Sequence, residues 1–220
     1  SNGGADWRTL ASAGIVSASG AGSSAIYAVT TPLSGGAANL IYGVAGSSDT
    51  TYFKIGDSGS NGAPYDTAFG VNANGGLIGT AFGYNAAGTG RGAAIGTNAN
   101  GSKDGAAVGE ASNAYDAGAA VGRNANGNIR GAALGFAANG STYGAAVGFY
   151  SDGSNYGVSI GASSNGNTFG NAIGYSADGH YYATAIGRYA VAATGGAAVG
   201  DSSIATDYGS ALGTSATAPI

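Results

Sequence analysis

A glycine recurs every 13 residues from Gly70 to Gly213 without one insertion or deletion. The residue before each of these twelve glycines is bulky and apolar, and the residue two before is alanine in every repeat but one, which has Ser159. Self-similarity at a short fixed period is typical of solenoids, in which each repeat forms one coil and stacks on the next. The sequence therefore predicts a stack of equal coils.

Each unit is predicted to hold two short strands and two turns. Segments such as Ala106–Val108 lie between glycines and are too short for a helix, which favours a strand. The second half of the unit carries Asn-Gly or Asp-Gly steps, which tolerate positive φ and are predicted to form the tight turns. At an inter-strand spacing of ~4.8 Å, such a stack makes a rod of roughly 55–60 Å. The steps are Asn100-Gly101, Asn126-Gly127, Asn139-Gly140, Asp152-Gly153, Asn165-Gly166 and Asp178-Gly179.

The composition excludes several other classes of protein. Glycine supplies 45 of the 220 residues, but without the triplet period of collagen, and the 44% apolar content argues against disorder. The absence of cysteine excludes disulfides and thiolate metal sites. The basic residues are scattered in a chain of net charge −4, so no nucleic-acid partner is expected. No apolar run approaches the roughly 18 residues of a membrane span, so no membrane contact is expected within this segment.

The chain is predicted to divide at residue 65. Residues 1–65 lack the 13-residue phase and hold three apolar runs separated by Gly, Ser and Asn, which favours a small β-subdomain. Because the end of a solenoid exposes unpaired backbone groups, this subdomain is predicted to cap the first coil, with Trp7 as its anchor. Residues 66–220 are predicted to form the solenoid, and the fold class is all-β.

The repeated strand also predicts self-association. Successive side chains of a strand point to opposite faces, so the bulky residue and the alanine before it face opposite ways. Both positions are restricted in all repeats, whereas a solvated face usually varies freely. One face is therefore expected to line the interior of the coil and the other to pack on a second copy of the chain. The positions expected to serve as core or oligomer contacts are Val108, Val121, Leu134, Val147, Ile160, Ile173, Ile186 and Val199.

The recurrent A-[VIL]-G followed by x-x-[AS]-x-G resembles the head repeats of trimeric autotransporter adhesins, the YadA-like heads of Gram-negative bacteria. This resemblance implies a left-handed parallel β-roll, three chains around a threefold axis and a fibre anchored in the outer membrane at the cell surface. The family's repeats are commonly slightly longer, which leaves the cross-section of the coil open. The motif is carried, for example, by Ala107-Val108-Gly109, by Ala185-Ile186-Gly187 with Ala190, and by Ala211-Leu212-Gly213 with Ala216.

Aromatic residues recur in the position before the first glycine of a unit and form the main candidate for a binding surface. Exposed aromatic rings would suit a host matrix protein, a glycan or an abiotic surface. The alternative is that the aromatics stabilise their own stack or line the contact between subunits. The candidate ligand-binding residues are Tyr143, Tyr156, Phe169 and Tyr182, together with Phe136, Phe149 and Tyr175 from other positions of the repeat.

No catalytic residue, cofactor or metal site is predicted, and the chain is not expected to be an enzyme. The dense G-G-x-G-x-D pattern of calcium-binding repeats is missing, so stacked amides explain the recurrent Asn and Asp better. The single histidine, His180, is expected to be solvated in a turn. Carboxylates are sparse, which argues against a glycosidase, although a catalytic pair of carboxylates could come from two different coils.

The leading hypothesis is the head of a trimeric surface adhesin. The main alternative is a fibre of a phage virion, because similar repeats occur in tail fibres and residues 51–62 resemble their short β-units. Ice binding would require regular rows of threonine, whereas Thr67, Thr80 and Thr184 are isolated among alanines. A purely structural spacer is the fourth hypothesis.

Overall fold

The computed structural model describes the backbone of residues 27–28, 39–45 and 50–56 and the continuous stretch 67–219. The strands that precede the repeat glycines recur with the period of the sequence, and the described residues contain no helix. None of them therefore forms a helix long and apolar enough to cross a membrane. Trp7, the predicted anchor of a cap, lies outside these residues.

Short strands follow one another along the residues that the structure describes. They are β1 (Tyr27–Ala28), β2 (Asn39–Ala45), β3 (Thr50–Gly56), β4 (Thr67–Phe69), β5 (Thr80–Phe82), β6 (Ala87–Thr89), β7 (Ala93–Ile95), β8 (Asn100–Ser102), β9 (Ala106–Val108), β10 (Asn113–Tyr115), β11 (Ala119–Val121), β12 (Asn126–Asn128), β13 (Ala132–Leu134), β14 (Ala145–Val147), β15 (Val158–Ile160), β16 (Asn165–Gly166), β17 (Asn171–Ile173), β18 (Asp178–Gly179), β19 (Thr184–Ile186), β20 (Val191–Ala192), β21 (Ala197–Val199), β22 (Ile204–Ala205), β23 (Ser210–Leu212) and β24 (Thr217–Ala218).

The strands that precede the repeat glycine form one continuous sheet. Each pairs in parallel with the equivalent strand of the next coil, so that Ala106 lies opposite Ala119 and Val108 opposite Val121. Backbone amides bond from coil to coil, as from Gly122 N to Val108 O at 2.8 Å. This in-register parallel pairing confirms the predicted β-solenoid with 13-residue coils.

The second strand of each coil forms a second row on the other side of the coil. Strands β6, β8, β10 and β12 make a four-stranded sheet, and β16, β18, β20, β22 and β24 make a five-stranded one. Parallel bridges at Asn139 and Asp152 join the two sheets through Asn126 and Asn165. Two strand rows per coil therefore run along the rod, as the sequence predicts.

The first three strands extend the main sheet beyond the first coil. Strand β2 pairs antiparallel with β1 and β3, and β3 pairs in parallel with β4. Phe53 lies opposite Thr67 in that pairing, so the sheet passes across the predicted boundary at residue 65.

The interior of the coils is filled by small side chains. The alanine two before each repeat glycine is buried, with Ala107 and Ala120 0% exposed. The adjacent bulky side chain points outward, and from Phe82 to Ile186 its exposure ranges from 37% to 51%. The structure thus assigns the interior to alanine. The predicted core or oligomer positions all lie on the outer face of the sheet, and we call the whole set the bulky row: Phe69, Phe82, Ile95, Val108, Val121, Leu134, Val147, Ile160, Ile173, Ile186, Val199 and Leu212.

The prediction that the Asn-Gly and Asp-Gly steps form the turns is wrong. Asn100 and Gly101 belong to β8, and the turn follows at Lys103 and Asp104, both with positive φ. Two consecutive residues of positive φ define a type I′ turn, here closed by a bond from Gly105 N to the Ser102 carbonyl. Gly101 serves a different purpose: a Cβ there would lie 1.9 Å from the carbonyl oxygen of a strand residue in the same coil, although the next coil has Ala114 at the equivalent position.

The other turn of each coil follows the repeat glycine. In the coil of Gly109, Ala111 has a φ of 53° and Ser112 N bonds to the Gly109 carbonyl, which is the pattern of a type II turn. Where serine replaces alanine in the interior, its hydroxyl bonds to the backbone, as from Ser112 Oγ to Gly109 O at 2.9 Å. Buried hydroxyls therefore keep a partner.

The coils after Gly170 close the first of these turns differently. Only one residue per turn has positive φ there, namely Tyr182, Gly195 and Tyr208 in successive coils. The last two of these coils also carry Ala192 and Ala205 where earlier coils mostly have glycine. The change in turn type does not depend on this residue, because Gly179 precedes the same type of turn as Ala192 and Ala114 precedes a type I′ turn.

Candidate functional site

Four aromatic rings stack on consecutive coils and form what we call the aromatic ladder, Tyr143, Tyr156, Phe169 and Tyr182. Successive ring centroids are 4.9 Å apart, with interplanar angles of 3° to 7°. The spacing equals the rise of one coil, so the ladder follows directly from the 13-residue period. The structure thus brings these four predicted site residues together.

The turn geometry holds the rings in this row. Tyr143, Tyr156 and Phe169 each occupy the second positive-φ position of a type I′ turn, with φ of 63° to 66°. Such a backbone costs a non-glycine residue roughly 1–2 kcal/mol. Each stacked aromatic pair contributes about 0.5–1.5 kcal/mol beyond burial of its area, which offsets much of that cost.

Both ends of the ladder are closed by specific contacts. Arg130 Nη1 donates to the Tyr143 hydroxyl at 2.7 Å, and its guanidinium lies 5.5 Å from that ring's centroid. At the other end Tyr181 packs edge-on against Tyr182 at 4.4 Å, and a hydrogen bond with Tyr182 raises the pKa of Tyr181. The next coil has Gly195 in the ladder position, so the stack ends there.

The rings expose their edges rather than their faces. Each inner ring is covered on both faces by its neighbours, yet the four side chains remain 42% to 58% exposed. The accessible surface is therefore a ribbed strip of ring edges and of the hydroxyls of Tyr143, Tyr156 and Tyr182.

A second aromatic cluster lies in the row that follows the repeat glycine. Phe136 and Phe149 stack at 5.2 Å, and Tyr150 packs edge-on against both. Arg123 covers the other face of Phe136, with its guanidinium carbon 4.6 Å from the ring centroid. The sequence identified the two phenylalanines but missed Tyr150, whose place after Phe149 breaks the spacing of 13.

Tyr175, the remaining predicted aromatic, does not join that cluster. It packs at right angles to Tyr189 of the next coil, with 5.4 Å between ring centroids. Arg188 lies over Tyr189 at 5.4 Å. The coil between Phe149 and Tyr175 has Ala162 in this row, which interrupts the stack.

Recurrent Asn and Asp side chains form hydrogen bonds between adjacent coils, as the stacked-amide hypothesis predicts. Asn113 Nδ2 donates to Asn126 Oδ1, Asn126 Nδ2 to Asn139 Oδ1, and Asn139 Nδ2 to Asp152 Oδ1, over 3.1 to 3.4 Å. The part of the chain that the structure describes contains no group of three or more His, Asp or Glu side chains that could hold a metal ion.

His180 is exposed and pairs with a carboxylate. Its Nε2 lies 2.9 Å from Asp178 Oδ2. Asp178 Oδ1 accepts the amide of Asn165, so the carboxylate belongs to the amide row. The sequence placed His180 in solvent but did not identify this partner.

Ion pairs also join residues one coil apart on the surface. Arg91 contacts Asp104 at 2.7 Å and Arg188 contacts Asp201 at 2.8 Å. Hydrogen bonding from Arg188 lowers the pKa of Asp201 below its ordinary value. Lys103 lies 4.5 Å from the Tyr115 ring centroid, and a hydrogen bond with Tyr115 raises the pKa of Lys103.

The bulky row is an apolar feature that runs along the outer surface of the coils. It extends from Phe69 to Leu212, and its first two rings, Phe69 and Phe82, stack at 4.7 Å. The neighbouring outward residues of the same strands are mostly alanine, serine or threonine, so the side chains of the bulky row project beyond those beside them.

No protein-family model, no curated protein and no solved structure matches the chain.

Proposed function

We propose that this chain is a segment of a fibrous surface protein, the head of a trimeric cell-surface adhesin. In this proposal the bulky row joins copies of the chain side by side, and the aromatic ladder attaches the fibre to host matrix, to cells or to an inert surface. The observation that carries the proposal is the outward direction of the bulky row over twelve in-register coils.

The exposure of the bulky row supports association between copies. Single exposed apolar residues are ordinary, but large contiguous apolar patches mark interaction sites in soluble proteins. The interior of one coil buries only alanine, serine and glycine-sized groups, which is a small apolar core for a chain of this length. Covering the bulky row would supply the missing apolar burial.

Light scattering coupled to size-exclusion chromatography tests the association. The whole chain is expected to elute with the mass of three copies, and a variant with Val121, Leu134 and Val147 all changed to Ser is expected to elute as one. Its circular dichroism is expected to stay β-rich, because these side chains lie outside the interior. A monomeric wild type would contradict the proposal.

Matched control substitutions show whether dissociation is specific to the bulky row or follows whenever exposed apolar residues are made polar. Val71, Ile129 and Ile204 are exposed by 42% to 45% and lie in other rows. Changing these three to Ser is expected to leave the oligomer intact. Dissociation of the control to the same extent would show that the bulky row has no special part.

Adhesion is tested with the four ladder residues changed together to Ser in the oligomeric protein. Loss of binding to matrix-coated or bare surfaces is expected, whereas Tyr84→Ser, an exposed tyrosine of another row, is expected to bind as before. Unchanged adhesion of the fourfold variant would instead favour a spacer. The flanking sequence in the parent gene separates an adhesin, with a coiled coil and membrane anchor, from a phage fibre.

A further inference from the structure

The orientation of the rings restricts what the aromatic ladder can bind. Sugars bind to aromatic side chains mainly by lying on a ring face, and the faces of Tyr156 and Phe169 are covered by their neighbours. Ring edges carry partial positive charge and pack well against the face of another π-system in the edge-to-face arrangement. The exposed strip therefore favours a flat aromatic ligand over a sugar.

The dimensions of the strip favour a long ligand. Three steps of 4.9 Å separate the first centroid from the last, so the strip is about 15 Å long. The residues beside it in the same turns are Thr142, Asn155 and Thr168, which are small and uncharged. Tyr181 closes one end by its contact with Tyr182, and Arg130 closes the other. A rigid flat molecule of two or three linked rings would contact all four rungs.

The charges in the ladder's coils favour a cation. Residues 130–187 contain two carboxylates, Asp152 and Asp178, against one base, Arg130, which lies at the Tyr143 end of the ladder. The whole chain carries a net charge of −4. Such a field attracts cations and repels anions, most strongly at low ionic strength.

We propose that the aromatic ladder binds an elongated, planar, cationic aromatic molecule that lies lengthwise across the four coils from Tyr143 to Tyr182. This inference names a ligand class for the adhesive surface and rests on the proposed function for its biological role. Binding itself depends only on the folded rod, so it is measured on the purified chain without any adhesion assay.

Thioflavin T is a suitable probe, because it is a long, flat aromatic cation whose fluorescence rises when rotation between its two ring systems is blocked. Titration of the whole chain is expected to give saturable binding with one dye per chain. Phe169→Ser interrupts the ladder near its middle and is expected to weaken binding on the order of tenfold, the equivalent of losing two ring contacts. Phe169→Tyr restores the ring and is expected to bind like the wild type.

Position-dependent controls make the outcome specific. Tyr143→Ser leaves three contiguous rungs and is expected to weaken binding less than Phe169→Ser. Tyr84→Ser removes an exposed ring outside the ladder and is expected to change nothing. Circular dichroism of each variant shows whether the rod is folded, and Phe169→Tyr supplies a folded variant at the same position.

Two results would overturn the inference: equal binding by the wild type and a folded Phe169→Ser, or binding of an anionic dye of the same length as tight as that of thioflavin T at low salt. Dye binding without adhesion would refute the proposed function alone. Adhesion without dye binding would refute this inference alone.

Discussion

Asp152 and Asn165 are register partners in adjacent coils, and the side-chain oxygen of Asn165 is buried without a hydrogen-bond partner. Elsewhere in the row an amide N–H from the preceding coil satisfies this oxygen, as Asn126 Nδ2 does for Asn139 Oδ1 at 3.1 Å. An ionised carboxylate has no proton to donate. Asp152 therefore interrupts a hydrogen-bonded row that is continuous on both sides.

Asp152→Asn is expected to stabilise the chain by up to about 1 kcal/mol, the usual net contribution of one hydrogen bond. The new amide can donate to Asn165 Oδ1 while it still accepts from Asn139. The shift of the urea unfolding midpoint measures the effect.

Asp178→Asn, made in a His180→Ala background because Asp178 also pairs with His180, is the control for that substitution. Asp178 also accepts an amide from the preceding coil, but its partner in the next coil is Val191, which offers no acceptor side chain. No gain is expected there, so equal stabilisation by both variants would show that removal of charge, rather than the new bond, is responsible.

Gly135→Ala is expected to destabilise the chain by about 3 kcal/mol or more, because both backbone conformation and space oppose a side chain. Gly135 has a φ of 141°, and a Cβ would lie 2.2 Å from the Gly148 carbonyl oxygen. Thermal unfolding followed by circular dichroism measures the loss.

Gly90→Ala separates the effect of space from that of positive φ. Gly90 has a φ of 58°, a value that Lys103 and Asp116 adopt in the same turn position, and its Cβ would meet nothing closer than 3.4 Å. A cost of only about 1 kcal/mol is expected. A cost as large as that of Gly135→Ala would contradict the argument from close approach.

Ala120→Val is expected to cost about 2 kcal/mol by overpacking the interior, since Ala120 is fully buried between equivalent alanines. In a single chain, Val121→Ala at the next position is expected to reduce stability less than Ala120→Val, because Val121 is 42% exposed. Its main effect is expected on the oligomer. Urea unfolding at low protein concentration measures the stability of the single chain, and light scattering measures association. A larger loss of stability for Val121→Ala than for Ala120→Val would refute the assignment of alanine to the interior and of the bulky residue to the outer face.

The Arg188–Asp201 pair predicts a small loss of stability in acid. The hydrogen bond from Arg188 holds the pKa of Asp201 below its value in the unfolded chain, so the pair stabilises the fold above the unfolded value of about 3.9. This contribution is lost as the pH falls through the lower folded pKa. An NMR titration of the Asp201 carboxyl carbon is expected to show the pKa rise in Arg188→Gln.

Arg123→Gln serves as control for the titration. Arg123 lies in the same row as Arg188 but stacks on Phe136. The Arg123→Gln variant is expected to leave the pKa of Asp201 unchanged. Equal shifts in both variants would point to overall charge rather than to the direct bond.

Much of the fold could be predicted from the sequence because the period is strict. Equal spacing stacks identical positions, so the strand at Ala106–Val108, the parallel register and the aromatic ladder all follow from counting 13 residues. The two faces of the strand were also apparent from their restricted composition. Which face lay inside was not, because a small residue and a bulky one are equally compatible with a restricted position.

The turns were misassigned because glycine has two uses. In Asn100-Gly101 the glycine leaves room for a strand carbonyl of its own coil, whereas a turn prediction assumes that it supplies positive φ. Positive φ falls instead on residues such as Ile129 and Thr142, which rarely adopt it. Hydrogen bonds between neighbouring turns, such as that from Ile129 N to Tyr115 O, help to hold them there, and these depend on the folded stack.

The side chains of the ladder, the amide row and the surface ion pairs mostly join residues one unit apart, as Arg188 joins Asp201. A duplication or deletion of one whole unit would therefore change the rod by about 4.8 Å and leave every remaining row aligned. A change of any other length would displace all later rows at once. This architecture lets a gene lengthen or shorten its product in whole steps while the surface pattern on either side of the change is kept.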